Sequence, residues 1–137
     1  MHRPSAEERE RYACFVQQYS GVTQQGTRID GALTLGENVA DNTGLPLLYR
    51  VVDERLRKER GEGLRRDEAR RFFAKFSQLW CAKHTVASEA EAAQDVHSPP
   101  EFRVNKVLQN MREFRAAYGC DEGAPMAPAQ RCVVWDE

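Results

Sequence analysis

Glu37 and Asp41 stand four residues apart in the stretch Gly36-Glu37-Asn38-Val39-Ala40-Asp41-Asn42. If that stretch is helical, both carboxylates lie on one face, one turn apart. Glu37 can then be a metal ligand while Asp41 reaches past it to orient a neighbouring ligand. A simpler reading stands beside this one: Thr34-Leu35-Gly36-Glu37 is a capping box and Asp41 a solvated helix residue. Two further groups carry chemical potential. The His97 imidazolium could donate a hydrogen bond to an oxyanion, or it could be a surface or capping residue. Arg103 could grip a carbonyl or carboxylate through its planar fork, or make a surface salt bridge.

The elements that must place these groups read as helices. The first spans Ala6 to Gln18, with Tyr12, Phe15, Val16 and Tyr19 as its apolar stripe. Ser5 and Glu8 form its capping box, and Ser20-Gly21 ends it. Gly26 to Gly31 is a loop. A second helix begins near Thr34 or Gly36, presents Val39, Leu47, Leu48, Val51, Val52 and Leu56, and stops at Gly61-Glu62-Gly63. Pro46 predicts a kink or break within it. A third helix starts at Asp67 and carries Ala69, Phe72, Phe73, Phe76, Leu79 and Trp80, the best candidate core. A short helix is predicted over Ser88 to Ala93, a loop from Asp95 to Arg103, and a final helix over Met111 to Tyr118. The Pro-, Gly- and Ala-rich tail from Asp121 to Gln130 is expected to be irregular. Beyond it, Arg131-Cys132-Val133-Val134-Trp135 is apolar enough to predict a buried Trp135.

Composition narrows the classes. A chain of 137 residues suits one domain with a modest core. A 30% charged content and a formal net charge of -1 give no general attraction to nucleic acid. The basic clusters at Arg55–Arg60 and Arg65–Arg71 are interrupted by acids, as on a solvated helix face. No apolar run is long enough for a membrane span, and the first residues lack the apolar core of a signal peptide. The four cysteines, Cys14, Cys81, Cys120 and Cys132, include no C-x-x-C pair. That argues against a structural zinc site and leaves long-range disulfides or buried free thiols.

Several blocks together resemble one family. Thr34-Leu35-Gly36-Glu37-Asn38-Val39-Ala40-Asp41-Asn42, Phe72 to Cys81, Asp95-Val96-His97-Ser98-Pro99 with Phe102-Arg103-Val104-Asn105, and Phe114 to Cys120 with Pro125-Met126 and Arg131 to Trp135 occur in order. They resemble segments of the neprilysin and endothelin-converting-enzyme zinc metallopeptidases. Asn42-Thr43-Gly44 departs from the family's N-G-G, and Pro99-Pro100 from its P-G.

The resemblance implies a mainly α-helical chain, residues 1–137 forming a single partial domain from the C-terminal portion of a thermolysin-like catalytic domain. It implies one Zn2+ ion, incompletely liganded by this chain, with Glu37 as the third ligand. Asp41 would hold a His ligand, His97 would stabilise the transition state, and Arg103 would bind the substrate backbone. Cys14 would pair with Cys132, and Cys81 and Cys120 with cysteines further upstream. The partners implied are peptide substrates of the full-length enzyme and the missing N-terminal part of the same protein, in an extracellular or plasma-membrane ectodomain. H-E-x-x-H, which would supply two His ligands and the general base, does not occur in these residues. The chain alone is therefore expected to be inactive, and marginally stable through open apolar faces around Phe72, Phe73, Phe76 and Trp80. The alternative is a truncated, non-catalytic relative acting as a binding module; an unrelated helical interaction protein with free thiols is a third reading.

Overall fold

The computed structural model describes residues 3–23, 26–83, 85, 88, 91 and 93–135. The chain is mainly helical, as predicted: α1 (Ala6–Tyr19), α2 (Leu35–Arg60), α3 (Arg66–Leu79), α4 (Pro100–Asn110) and α5 (Arg112–Tyr118). Two short antiparallel strands, β1 (Gly21–Val22) and β2 (Arg28–Ile29), pair Gly21 with Ile29 and join α1 to α2.

Local chemistry explains most boundaries. The Ser5 side chain accepts from the Glu8 amide at 3.1 Å, and the Glu8 carboxylate accepts from the Ser5 amide at 2.6 Å, which completes the capping box of α1. Gly61 ends α2 in the left-handed conformation, φ 81°, and its amide bonds to the Arg57 carbonyl. Pro46 does not break α2, which runs through it unbroken. Leu45 is buried beside it, and Tyr49 one turn on packs against the same core, so tertiary contacts on both sides hold the helix.

Other expectations need correction. The segment read as a loop from Asp95 to Arg103 ends at Pro99, where α4 begins. Pro100 occupies the first helical turn, where its missing amide costs nothing. The short helix expected over Ser88 to Ala93 falls largely outside the described residues. Trp135 is 68% exposed rather than buried, while its neighbour Cys132 takes the buried position.

The core has two parts, and α2 and α4 contribute to both. In one, Phe73 of α3 stacks on Tyr49 at 5.4 Å and meets Phe114 of α5 edge-on at 5.4 Å, with Val107, Leu108 and Met111 around them. In the other, Phe15 and Tyr19 of α1 close on Ile29, Phe102 and Cys132. Phe72 and Phe76 are partly buried against the first cluster, while Phe76 and Trp80 also line an open hollow with Leu48 and Leu79. Exposed apolar residues on these helices include Leu47, Leu48 and Val51 of α2, and Leu79 of α3 at 81%. The basic clusters are paired with nearby acids, as in Arg55–Glu59, Arg57–Asp53 and Arg60–Glu68.

Candidate functional site

The first turns of α2 and α4, with the segment before α4, bring the predicted groups together. Thr34 caps α2, but its side chain accepts from no backbone amide of the first turn. Its hydroxyl instead donates to the Asp30 carbonyl at 3.1 Å, so the Thr34–Glu37 capping box does not form. Glu37, released from that role, keeps a carboxylate 41% exposed. His97 Nε2 lies 3.4 Å from its Oε2.

Asp95 orients His97. Its Oδ1 accepts from the His97 amide at 2.8 Å and meets Nδ1 at 2.7 Å. These bonds hold the Asp95 carboxyl below its ordinary range, the backbone bond most strongly. An ionised carboxylate only accepts, so Nδ1 carries the proton and Nε2 is left on the Glu37 side.

One turn along α2, Asp41 meets Arg103. Arg103 donates from Nε and Nη2 to the two Asp41 oxygens at 2.6 and 2.7 Å. The side chains are only 15% and 16% exposed. The pairing raises the Arg103 guanidinium further above its ordinary value. The Trp80 ring lies under the guanidinium, 4.1 Å from Cζ to centroid. Arg103 thus sits between an anion and an aromatic face, with Nη1 in none of these bonds.

All four sequence-predicted groups therefore share one rim. Asp95 and Trp80 belong to it as well. Asp95 carried a local signal, since an Asx side chain two residues before His97 bonds back to the following backbone. Trp80 carried none, because its helical spacing reads as core. The structure also joins Cys14 to Cys132 in a disulfide with Cα atoms 5.6 Å apart, while Cys81 and Cys120 are free.

The donor set suits part of a zinc site. Glu37 offers a half-exposed carboxylate oxygen of the kind zinc accepts. Among the described residues no group of three or more His, Cys, Asp or Glu side chains could hold a metal ion. The described residues thus fit one ligand and leave the others to be supplied.

Comparison with known proteins places the chain in a family. Residues 2–134 match the model of Peptidase family M13. Neprilysin-1 of Caenorhabditis elegans is 39% identical over 135 residues, covering 92% of this chain and 18% of that protein. Endothelin-converting enzyme 1 of Mus musculus is 40% identical over 129 residues, covering 89% of this chain and 16% of that protein. Neprilysin-3 of Drosophila melanogaster is 37% identical over 133 residues, covering 92% and 17%. The chain thus spans less than a fifth of the length of these curated relatives. With the match running through nearly every residue, the chain belongs to peptidase family M13.

Proposed function

We propose that this chain is the C-terminal part of the catalytic domain of a neprilysin-like zinc metalloendopeptidase, which hydrolyses peptide bonds in small extracellular peptides. The observation that carries the reading is the shared rim. Glu37, on the exposed side of α2, stands 3.4 Å from His97, and the Asp41–Arg103 pair lies one turn away.

In this reading Glu37 is the zinc ligand that the chain contributes, and upstream residues of the same protein supply the other ligands and the general base. Zinc, when bound, supplies Lewis acidity towards water and the scissile carbonyl. His97, held by Asp95 at Nδ1, donates from Nε2 as the imidazolium to negative charge developing on the substrate oxygen. Arg103 binds the peptide backbone through Nη1, because Asp41 already takes Nε and Nη2. Asp41 has capacity left, since a carboxylate accepts at about four lone-pair positions. It can hold both Arg103 and an upstream ligand histidine. Cys81 and Cys120 are available for disulfides to upstream cysteines of an extracellular protein.

The reading is tested by extending the open reading frame upstream of Met1 in the native source and expressing what it encodes. A product carrying H-E-x-x-H should cleave a quenched fluorescent peptide in a zinc-dependent way. Glu37→Ala should abolish that cleavage, and Asp41→Ala should lower it roughly 10- to 100-fold. Residues 1–137 alone should not cleave. Undiminished cleavage by the Glu37→Ala product would overturn the assignment.

A further inference from the structure

Beside Glu37 and Asp41, α2 carries a second, buried ladder at the same spacing. Thr34, Asn38 and Asn42 are 2%, 0% and 8% exposed. The Asn38 amide group donates from Nδ2 to Thr34 Oγ1 at 2.9 Å, and its Oδ1 accepts from Ser98 Oγ at 2.8 Å. The polarity of this relay is fixed from one end. The Asp30 carbonyl can only accept, so the Thr34 hydroxyl donates to it. Thr34 Oγ1 must then accept from Asn38, which turns Oδ1 towards Ser98, and Ser98 must donate.

Asn38 adjoins Glu37 in the chain, and Ser98 adjoins His97. The residues joined by this bond are 60 positions apart. We propose that Asn38 and Ser98 are positioning residues that set the spacing between Glu37 and His97. The proposal rests on the reading of Glu37 and His97 as site groups. An apolar pair of similar volume would fill the same space, but it would let the segment before α4 slide along α2. A hydrogen bond between fully buried groups has direction, and a slide would leave the Asn38 oxygen unpaired. The ladder continues to Asn42, whose Nδ2 bonds the Tyr19 hydroxyl at 2.8 Å and whose Oδ1 accepts from Asn110 at 2.7 Å. Rotation of α2 about its own axis is thus pinned along the row next to the carboxylates.

The test is nuclear Overhauser spectroscopy on the 137-residue chain, reading cross-peaks between the His97 ring protons and the Glu37 side chain, with melting recorded in parallel. The wild type and Ser98→Thr, which keeps the hydroxyl, should show the cross-peak. Ser98→Ala should lose it. The double variant Asn38→Leu/Ser98→Ala removes both polar partners, so it should fold and melt no lower than Ser98→Ala, yet still lack the cross-peak. A wild-type cross-peak in either folded variant would overturn the proposal, as would its absence from the wild type. Failure of the double variant to fold would also overturn it, because the pair would then hold the fold and not the spacing. Neither zinc nor peptide enters this measurement, so an inactive peptidase would leave the result intact.

Discussion

Replacing Arg103 by alanine removes two charge-assisted hydrogen bonds and a cation–π contact, and it strands the Asp41 carboxylate. The bonds are 2.6 and 2.7 Å long and the Trp80 ring is 4.1 Å away. Exposed ion pairs are worth about 0–1 kcal/mol, whereas breaking a buried pair by removing one partner costs roughly 3–5 kcal/mol. With both side chains about 85% covered, this pair lies towards the buried limit. Discounted for its remaining solvent screening, Arg103→Ala should cost about 3 kcal/mol, including about 0.5–1 kcal/mol for the ring contact. Asp41→Ala should cost about 2 kcal/mol, because Arg103 keeps Trp80 and its edge still reaches water. The double variant should be little worse than Arg103→Ala, which gives a coupling of about 2 kcal/mol. Urea unfolding of the four proteins, followed by circular dichroism, measures it. Raising the salt to about 1 M shortens the screening length to roughly 3 Å, yet most of the coupling should survive. A coupling below about 0.5 kcal/mol would refute the reasoning, since an ion pair of that size behaves as a solvated one.

Phe73→Ala should cost about 3–5 kcal/mol, because the ring is 1% exposed between Tyr49 and Phe114, and urea unfolding should register it as an earlier midpoint. Removing the disulfide with Cys14→Ala/Cys132→Ala opens a link across 118 residues and should cost about 2–5 kcal/mol, matched by the loss seen when the wild type is reduced. The Arg60 and Arg65 bonds lower the Glu68 carboxyl from its ordinary 4.5 to about 2, with Arg60 contributing most. Its stabilising effect is therefore present above pH 4.5 and lost as the pH falls towards 2, so Glu68→Gln should flatten acid unfolding across that window. Gly63→Ala would place a methyl 2.1 Å from Asp53 Oδ1, the acceptor of the Leu64 amide, and should lower thermal stability by about 1–3 kcal/mol.

Most helices were legible in the sequence from an apolar period, a boundary signal or both. Ser5 and Glu8 marked α1, and Gly61 marked the end of α2. The helix α4 was hidden because Ser98-Pro99-Pro100 reads as a turn, although Pro100 at a first helical turn is a start signal of its own. The two-residue strands carry too little pattern to be read. Trp135 and Leu79 show why hydrophobicity alone misplaces residues, since position relative to a neighbouring helix decides burial. At the site, the residue types of Glu37, Asp41, His97 and Arg103 were legible from motif blocks. Their pairing was not, because Asp41 and Arg103 are 62 positions apart and meet only through tertiary packing. Thr34 failed as a capping box for a similar reason, since its hydroxyl found the preceding turn first.

The Cys14–Cys132 bond has a mechanical consequence. It joins residues 118 positions apart whose Cα atoms are 5.6 Å from each other. A pull entering the chain before Cys14 and leaving after Cys132 passes straight across the two sulfur atoms. The intervening helices, including the rim that carries Glu37 and His97, lie in a closed covalent loop and bear none of that tension. An oxidised molecule held between two tethers should therefore extend by only the few residues outside the loop. Its reduced counterpart should unravel through α1 first and release the remaining length helix by helix.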